Sequence, residues 1–107
     1  MAEELYIRFK NPSWVTEQQE ALIQHIEALS TYVRNNEDEY WLLGLEDRGS
    51  EDRWQFDVRI FVGKSPALVE ISAHPHSIEQ DLKLLFSWLR SRTPLSIIDE
   101  DGAPSGW

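Results

Sequence analysis

Trp54, Phe56, Val58, Ile60 and Val62 put an apolar side chain at every second position, and Gln55, Asp57, Arg59 and Phe61 fill the places between. Side chains of an extended strand point alternately to its two faces. A strand over residues 53–62 therefore presents one face that has to be covered and one polar enough to meet water. Such a strand needs neighbours in a sheet and an apolar layer over one side of that sheet. The rest of the chain supplies both.

Leu5, Ile7 and Phe9 alternate with Tyr6, Arg8 and Lys10, which predicts a first strand stopped by Asn11-Pro12-Ser13. Thr16 with Gln19 reads as a capping box, and Glu17 and Glu20 suit the positive end of a helix dipole. Leu22, Ile26, Leu29 and Val33 then form one apolar helical stripe, ended by Asn35-Asn36. A second strand is predicted over 40–45 and the long third strand over 53–62. Gly63-Lys64-Ser65-Pro66 turns into a fourth over 67–73, with Ala67, Val69, Ile71 and Ala73 facing one way.

His74-Pro75-His76 breaks that strand. Ser77, with Gln80, is read as the cap of a second helix whose stripe is Ile78, Leu82, Leu85 and Leu89, widened by Phe86 and Trp88. Pro94 follows it, then a short last strand over 95–98 and a tail over 99–107. The order β-α-β-β-β-α-β predicts an α+β fold, a two-layer sandwich with a mostly antiparallel sheet and both helices on one face. Strands two to four form a meander, the helical connections are right-handed crossovers where they join parallel strands, and Asp57, Arg59 and Glu70 stand on the open face. At 107 residues the chain, 1–107, is one domain with one core.

Charge is distributed unevenly. Between residues 37 and 57 lie eight acids (Glu37, Asp38, Glu39, Glu46, Asp47, Glu51, Asp52, Asp57) against Arg48 and Arg53, a balance of −6. Asp99, Glu100 and Asp101 add −3, and the remaining segments cancel, so these two stretches hold the whole formal charge of −9. A one-sided field raises encounter rates with an oppositely charged partner. It also argues against binding nucleic acid, where phosphate contacts require Lys and Arg.

Other chemistry finds little footing. The chain has no cysteine, hence no disulfide and no thiolate metal site. His74 and His76 are two potential ligands without a third, short of a zinc site. Asp99-Glu100-Asp101-Gly102 lacks the bidentate glutamate of a calcium loop, and Gly63-Lys64-Ser65 lacks the first glycine of a phosphate loop. No glycine-flanked serine elbow occurs. The expectation is a protein that is not an enzyme and binds no metal or cofactor. Met1-Ala2-Glu3-Glu4 does not open a signal peptide and no apolar run reaches membrane-spanning length, so a cytoplasmic location without membrane association is expected. Of the tryptophans, Trp54 and Trp88 fit core positions. Trp107 either folds back onto the domain or contacts a partner.

In Trp41-Leu42-Leu43-Gly44-Leu45-Glu46-Asp47, in Ile98-Asp99-Glu100-Asp101-Gly102 and in Ser105-Gly106-Trp107, the chain resembles the small immunity proteins of bacterial polymorphic toxin systems, contact-dependent growth inhibition included. The resemblance implies a cytoplasmic inhibitor that binds the toxin domain of its own system, often a nuclease. The charge pattern agrees, because an acidic surface can fill the basic cleft in which a nuclease receives phosphates. Partner-binding residues are expected at Glu46, Asp47, Glu51, Asp52 and Asp57 of the hairpin and at Asp99 and Asp101 of the tail. Tyr40 and Trp41 are expected as an aromatic anchor. The competing readings are an acidic adaptor or homodimerising assembly module, and a small hydrolase or metal protein around His74 and His76. Whether the chain forms a homo-oligomer is left open.

Overall fold

Alternation decides which strands share the core. The computed structural model describes residues 3–46, 55–63 and 67–107. In chain order the elements are β1 (Glu3–Phe9), α1 (Pro12–Glu17), α2 (Gln19–Glu27), β2 (Tyr32–Asn36), β3 (Glu39–Leu42), β4 (Val58–Phe61), β5 (Ala67–Ile71), α3 (His76–Arg92) and β6 (Leu95–Ile98). The fold is α+β. Its strands form one antiparallel sheet in the order β2-β3-β4-β5-β1-β6, accompanied by three helices.

Leu5 and Ile7 of β1, Ile60 of β4 and Val69 of β5 are buried together with Leu22 and Ile26 of α2 and Ile78, Leu82, Leu85 and Leu89 of α3, in one cluster. The apolar stripes of α2 and α3 are thus buried in the same cluster as the apolar strand residues. The intervening residues Tyr6, Arg59, Phe61, Leu68 and Glu70 lie half-exposed.

Several expectations are corrected. The first helix is two, broken at Gln18, and α1 starts at Asn11-Pro12, so Thr16 lies inside α1 and caps nothing. The stripe stops before Val33, which belongs to a strand the sequence reading missed, β2, and is 46% exposed there. The physical reason is the buried Thr31. Its N–H and hydroxyl bind the Asp81 carboxylate on α3 at 2.9 and 2.6 Å, and its C=O accepts from Leu43 N–H at 2.8 Å, which turns the chain out of α2 and into the sheet. Asn35 and Asn36 end β2, and Glu37, in the left-handed region at φ 56°, turns the chain into β3.

The helical connections join strands that run in the same direction but are not neighbours, β1 to β2 and β5 to β6. β5 and β6 run in the same direction, but β1 lies antiparallel between them, so α3 carries the chain across β1. α3 itself begins at His76 after Pro75, and the Ser77 side chain has a different use, described below. The predicted third strand is regular only from Val58, with Trp54 outside the described residues. Asp57 and Val58 are both buried, so the alternation breaks at Asp57. Phe56 is thereby thrown to the face opposite Val58, where its ring centre lies 4.9 Å from that of Trp41.

Candidate partner-binding surface

The register fixes which loops leave from which end of the sheet. Leu42 pairs with Val58, Val58 with Ile71 and Ile71 with Glu3, so the exit of β3, the entry of β4, the exit of β5 and the start of β1 form one row. β6 points the same way, with Ile98 opposite Tyr6. The chain after Leu42, the chain before Val58 and the chain after Ile98 thus all emerge at a single end. With strands about 4.8 Å apart, β4 and β6 are separated there by about 14 Å. Glu3 and Glu4 start β1 at this end, and α3 begins here with Glu79 in its first turn. At the opposite end Lys10 N–H bonds the Pro94 C=O, and Arg90 and Arg92 occupy the last turn of α3.

Three of the predicted binding acids are occupied in holding this end together. Glu46 is exposed, and its carboxylate receives the Ser77 N–H at 2.9 Å and the Ser77 hydroxyl at 2.5 Å, while Leu45 N–H donates to the Ser77 hydroxyl at 2.9 Å. It therefore sits at the start of α3, where backbone N–H groups lack intrahelical acceptors and the dipole favours an anion. The Ser77 hydroxyl, then its N–H, hold the Glu46 carboxyl below the ordinary carboxylate range. Asp57 does not stand on an open face: it is 0% exposed, and Oδ2 accepts the Gly44 N–H at 2.7 Å. Its main chain bonds Leu42 on one side and Ser72 on the other, both at 2.7 Å, so it is locked between β3 and β5. Asp99 is half-buried, and its Oδ1 accepts the N–H of Asp101 at 2.9 Å and of Ala103 at 3.0 Å, closing the turn after β6.

Asp101 is exposed beyond that turn. Asp47, Glu51 and Asp52 lie outside the described residues. The aromatic pair is divided. Tyr40 is buried in the core opposite Ile60 and offers nothing to a partner surface. Trp41 points to the other face and is 9% exposed, covered by Phe56 and by the Arg34 guanidinium 4.4 Å above its ring, with its N–H bonded to Glu39 at 3.0 Å.

The partners of other charged side chains complete the picture. Arg59 lies over Phe56 and Phe61 and forms ion pairs with Glu70 and Glu39, which hold its guanidinium above the usual arginine range, the Glu70 hydrogen bond most of all. Glu100 Oε1 accepts the Glu4 N–H at 3.2 Å, joining tail to β1. The Glu4 charge, with burial and Glu100, pushes the Tyr6 phenol up, as a negative potential at that edge requires. His74 lies 3.9 Å from Glu3 and 3.7 Å from Glu79. Among the described residues no group of three His, Asp or Glu side chains is placed to hold a metal ion, and no helix is long and apolar enough to cross a membrane. Strand order was the missing signal: Glu3-Glu4 and Glu79 join the tail acids only when β1 is known to lie between β5 and β6. Comparison with protein-family models, with curated proteins and with solved structures found no match.

Proposed function

We propose that this protein is a non-enzymatic, cytoplasmic inhibitor of the immunity type, which binds and neutralises a basic cognate toxin domain, a nuclease being the best chemical fit. The observation that carries this reading is topological. The chain after β3, the chain before β4 and the tail leave the sheet at one end, beside Glu3, Glu4 and Glu79, while at the other end Lys10, Arg90 and Arg92 balance Glu37, Asp38 and Glu39 of the β2–β3 turn. Charge separated in this way steers a basic cleft to one end of the molecule. The reading takes the helices as one layer over one sheet face, a two-layer sandwich, in keeping with alternate burial along the strands. Glu46, Asp57 and Asp99 serve as the frame, because their oxygens already accept backbone donors. Glu100, whose Oε1 accepts the Glu4 N–H, belongs with that frame, and Asp101, with Asp47, Glu51 and Asp52 of the hairpin, supplies the partner-facing acids.

Coexpression with the product of the adjacent toxin gene should restore growth, and the purified pair should associate more slowly as salt rises, since exposed charges are screened over about 8 to 10 Å. Reversing Asp101 to lysine should slow association further. If capture from the native host yields no toxin and no neighbouring gene product is neutralised, the reading fails. A second reading, an adaptor that docks a protein on the sheet face, is favoured by the Trp41, Phe56, Phe61 and Arg59 cluster, since aromatic and arginine side chains are enriched in interface cores. Undiminished partner capture after reversal of the acids would select it.

A further inference from the structure

The two edges of the sheet are protected in different ways. β2 is five residues long, carries Arg34, Asn35 and Asn36, and shifts register between Tyr32 and Arg34. A short, charged, irregular edge is a poor template for another strand. β6 is shorter still, at four residues, but it has neither the charge nor the register shift. Leu95, Ser96, Ile97 and Ile98 are uncharged, and they pair with β1 without a break from Phe9 to Tyr6.

What covers the β6 edge is the chain that follows it. Asp99 N–H bonds the Ala103 C=O at 2.8 Å, Pro104 bridges Ile98, and Ser105 donates to the Ile97 C=O through its N–H at 3.1 Å and its hydroxyl at 2.8 Å. Pro104 lacks an N–H, so the covering segment is itself a blunt edge. Trp107 anchors it, edge-on to Phe86 at 5.8 Å and stacked on His74 at 6.2 Å.

We propose that residues 99–107 are a strap guarding β6, and that opening the strap frees this edge to pair antiparallel with β6 of a second copy. The edge already accepts an extended antiparallel segment of this chain. A two-fold pairing centred on Ile97 sets Ile97 against itself and Ser96 against Ile98, with no like charges opposed. It also carries Asp99 and Glu100 of each copy to Leu95 and Pro94 of the other, where Lys10 is bonded to Pro94 and makes no ion pair among the described residues. The second copy is therefore matched in backbone, apolar side chains and charge.

The test uses the full chain carrying Ser105→Ala and Trp107→Ala, with hydrogen exchange and light-scattering mass followed over a wide concentration range. The amides of Asp99 and Ser105 should exchange about tenfold faster or more, as local opening demands. Those of Ile7 and Val69 should stay protected, and the mass should double as concentration rises. Adding Lys10→Glu should return the single-chain mass. If the double variant also loses protection at Ile7 and Val69, Gly102→Val opens the strap from its tip. Gly102 has φ +81°, and nothing lies within 4 Å of a Cβ placed there, so the strain stays local. Fast exchange at Asp99 with an unchanged mass at every concentration overturns the proposal. So does a doubled mass while Asp99 and Ser105 remain as protected as in the unaltered chain.

Discussion

Asp81→Ala offers the sharpest test of how the chain is held together. Asp81 lies on α3, 5% exposed, and its Oδ2 takes the Thr31 N–H at 2.9 Å, the Thr31 hydroxyl at 2.6 Å and the Ser30 hydroxyl at 3.1 Å. Thr31 is itself buried, so alanine at 81 strands one main-chain and one side-chain donor away from water. Each stranded donor costs about 1 to 3 kcal/mol, and part of this is offset because a carboxylate no longer has to be desolvated. The expected net loss is about 3 kcal/mol, a large share of the roughly 5 to 15 kcal/mol that keeps a domain folded. At a urea slope of about 1 to 3 kcal/mol/M the unfolding midpoint should fall by about 1 to 3 M. Asp81→Asn keeps one oxygen for Thr31 and should lose only about 1 kcal/mol. A cycle with Thr31→Val should show coupling of about 1 kcal/mol or more. If Asp81→Ala shifts stability by less than about 0.5 kcal/mol, water entering from the adjoining groove lined by Ser30, Gln80 and Leu84 rescues those donors, and Asp81 is not what directs the chain from α2 into β2.

Further outcomes concern the acid end and the open face. Gly44→Ala should destabilise by about 1 to 3 kcal/mol in urea titration, because its Cβ would lie 2.7 Å from Pro75 Cγ and 3.0 Å from Asp57 Oδ2. A Glu46 carboxyl held below its ordinary range contributes stability that is complete above the unfolded pKa and disappears as pH falls through the lower folded value. The stability gap between the unaltered chain and Glu46→Gln, measured by denaturation from about pH 6 downward, should therefore be constant at first and close in the acid range. A gap that widens on acidification would contradict the Ser77 contact. Arg59→Ala leaves Glu39 and Glu70 without their shared cation; since all three side chains are partly solvated, a loss of only about 1 kcal/mol is expected in the same titration.

The positions that were legible in advance are those where local pattern and tertiary demand coincide. The α3 stripe, the alternation of β1 and β5 and the short β6 follow from side-chain direction alone, whatever they pack against. The Val33 error shows the limit. Leu29 and Val33 continue a helical spacing, yet a buried carboxylate fifty residues later recruits Thr31 and ends the helix early. Asp57 fails for a similar reason: alternation places it in water, but the Gly44 N–H draws its carboxylate inward and shifts Phe56 to the opposite face.

Sequence by itself determined the class of fold, the apolar faces and the excess of acid, since each is a property of neighbouring residues or of composition. Tertiary structure alone decided which acids are spent inside the fold and at which end of the sheet the tail acids meet Glu3, Glu4 and Glu79. Both depend on partners far along the chain and on strand order, and a backbone N–H in search of an acceptor leaves no mark on the residues beside it.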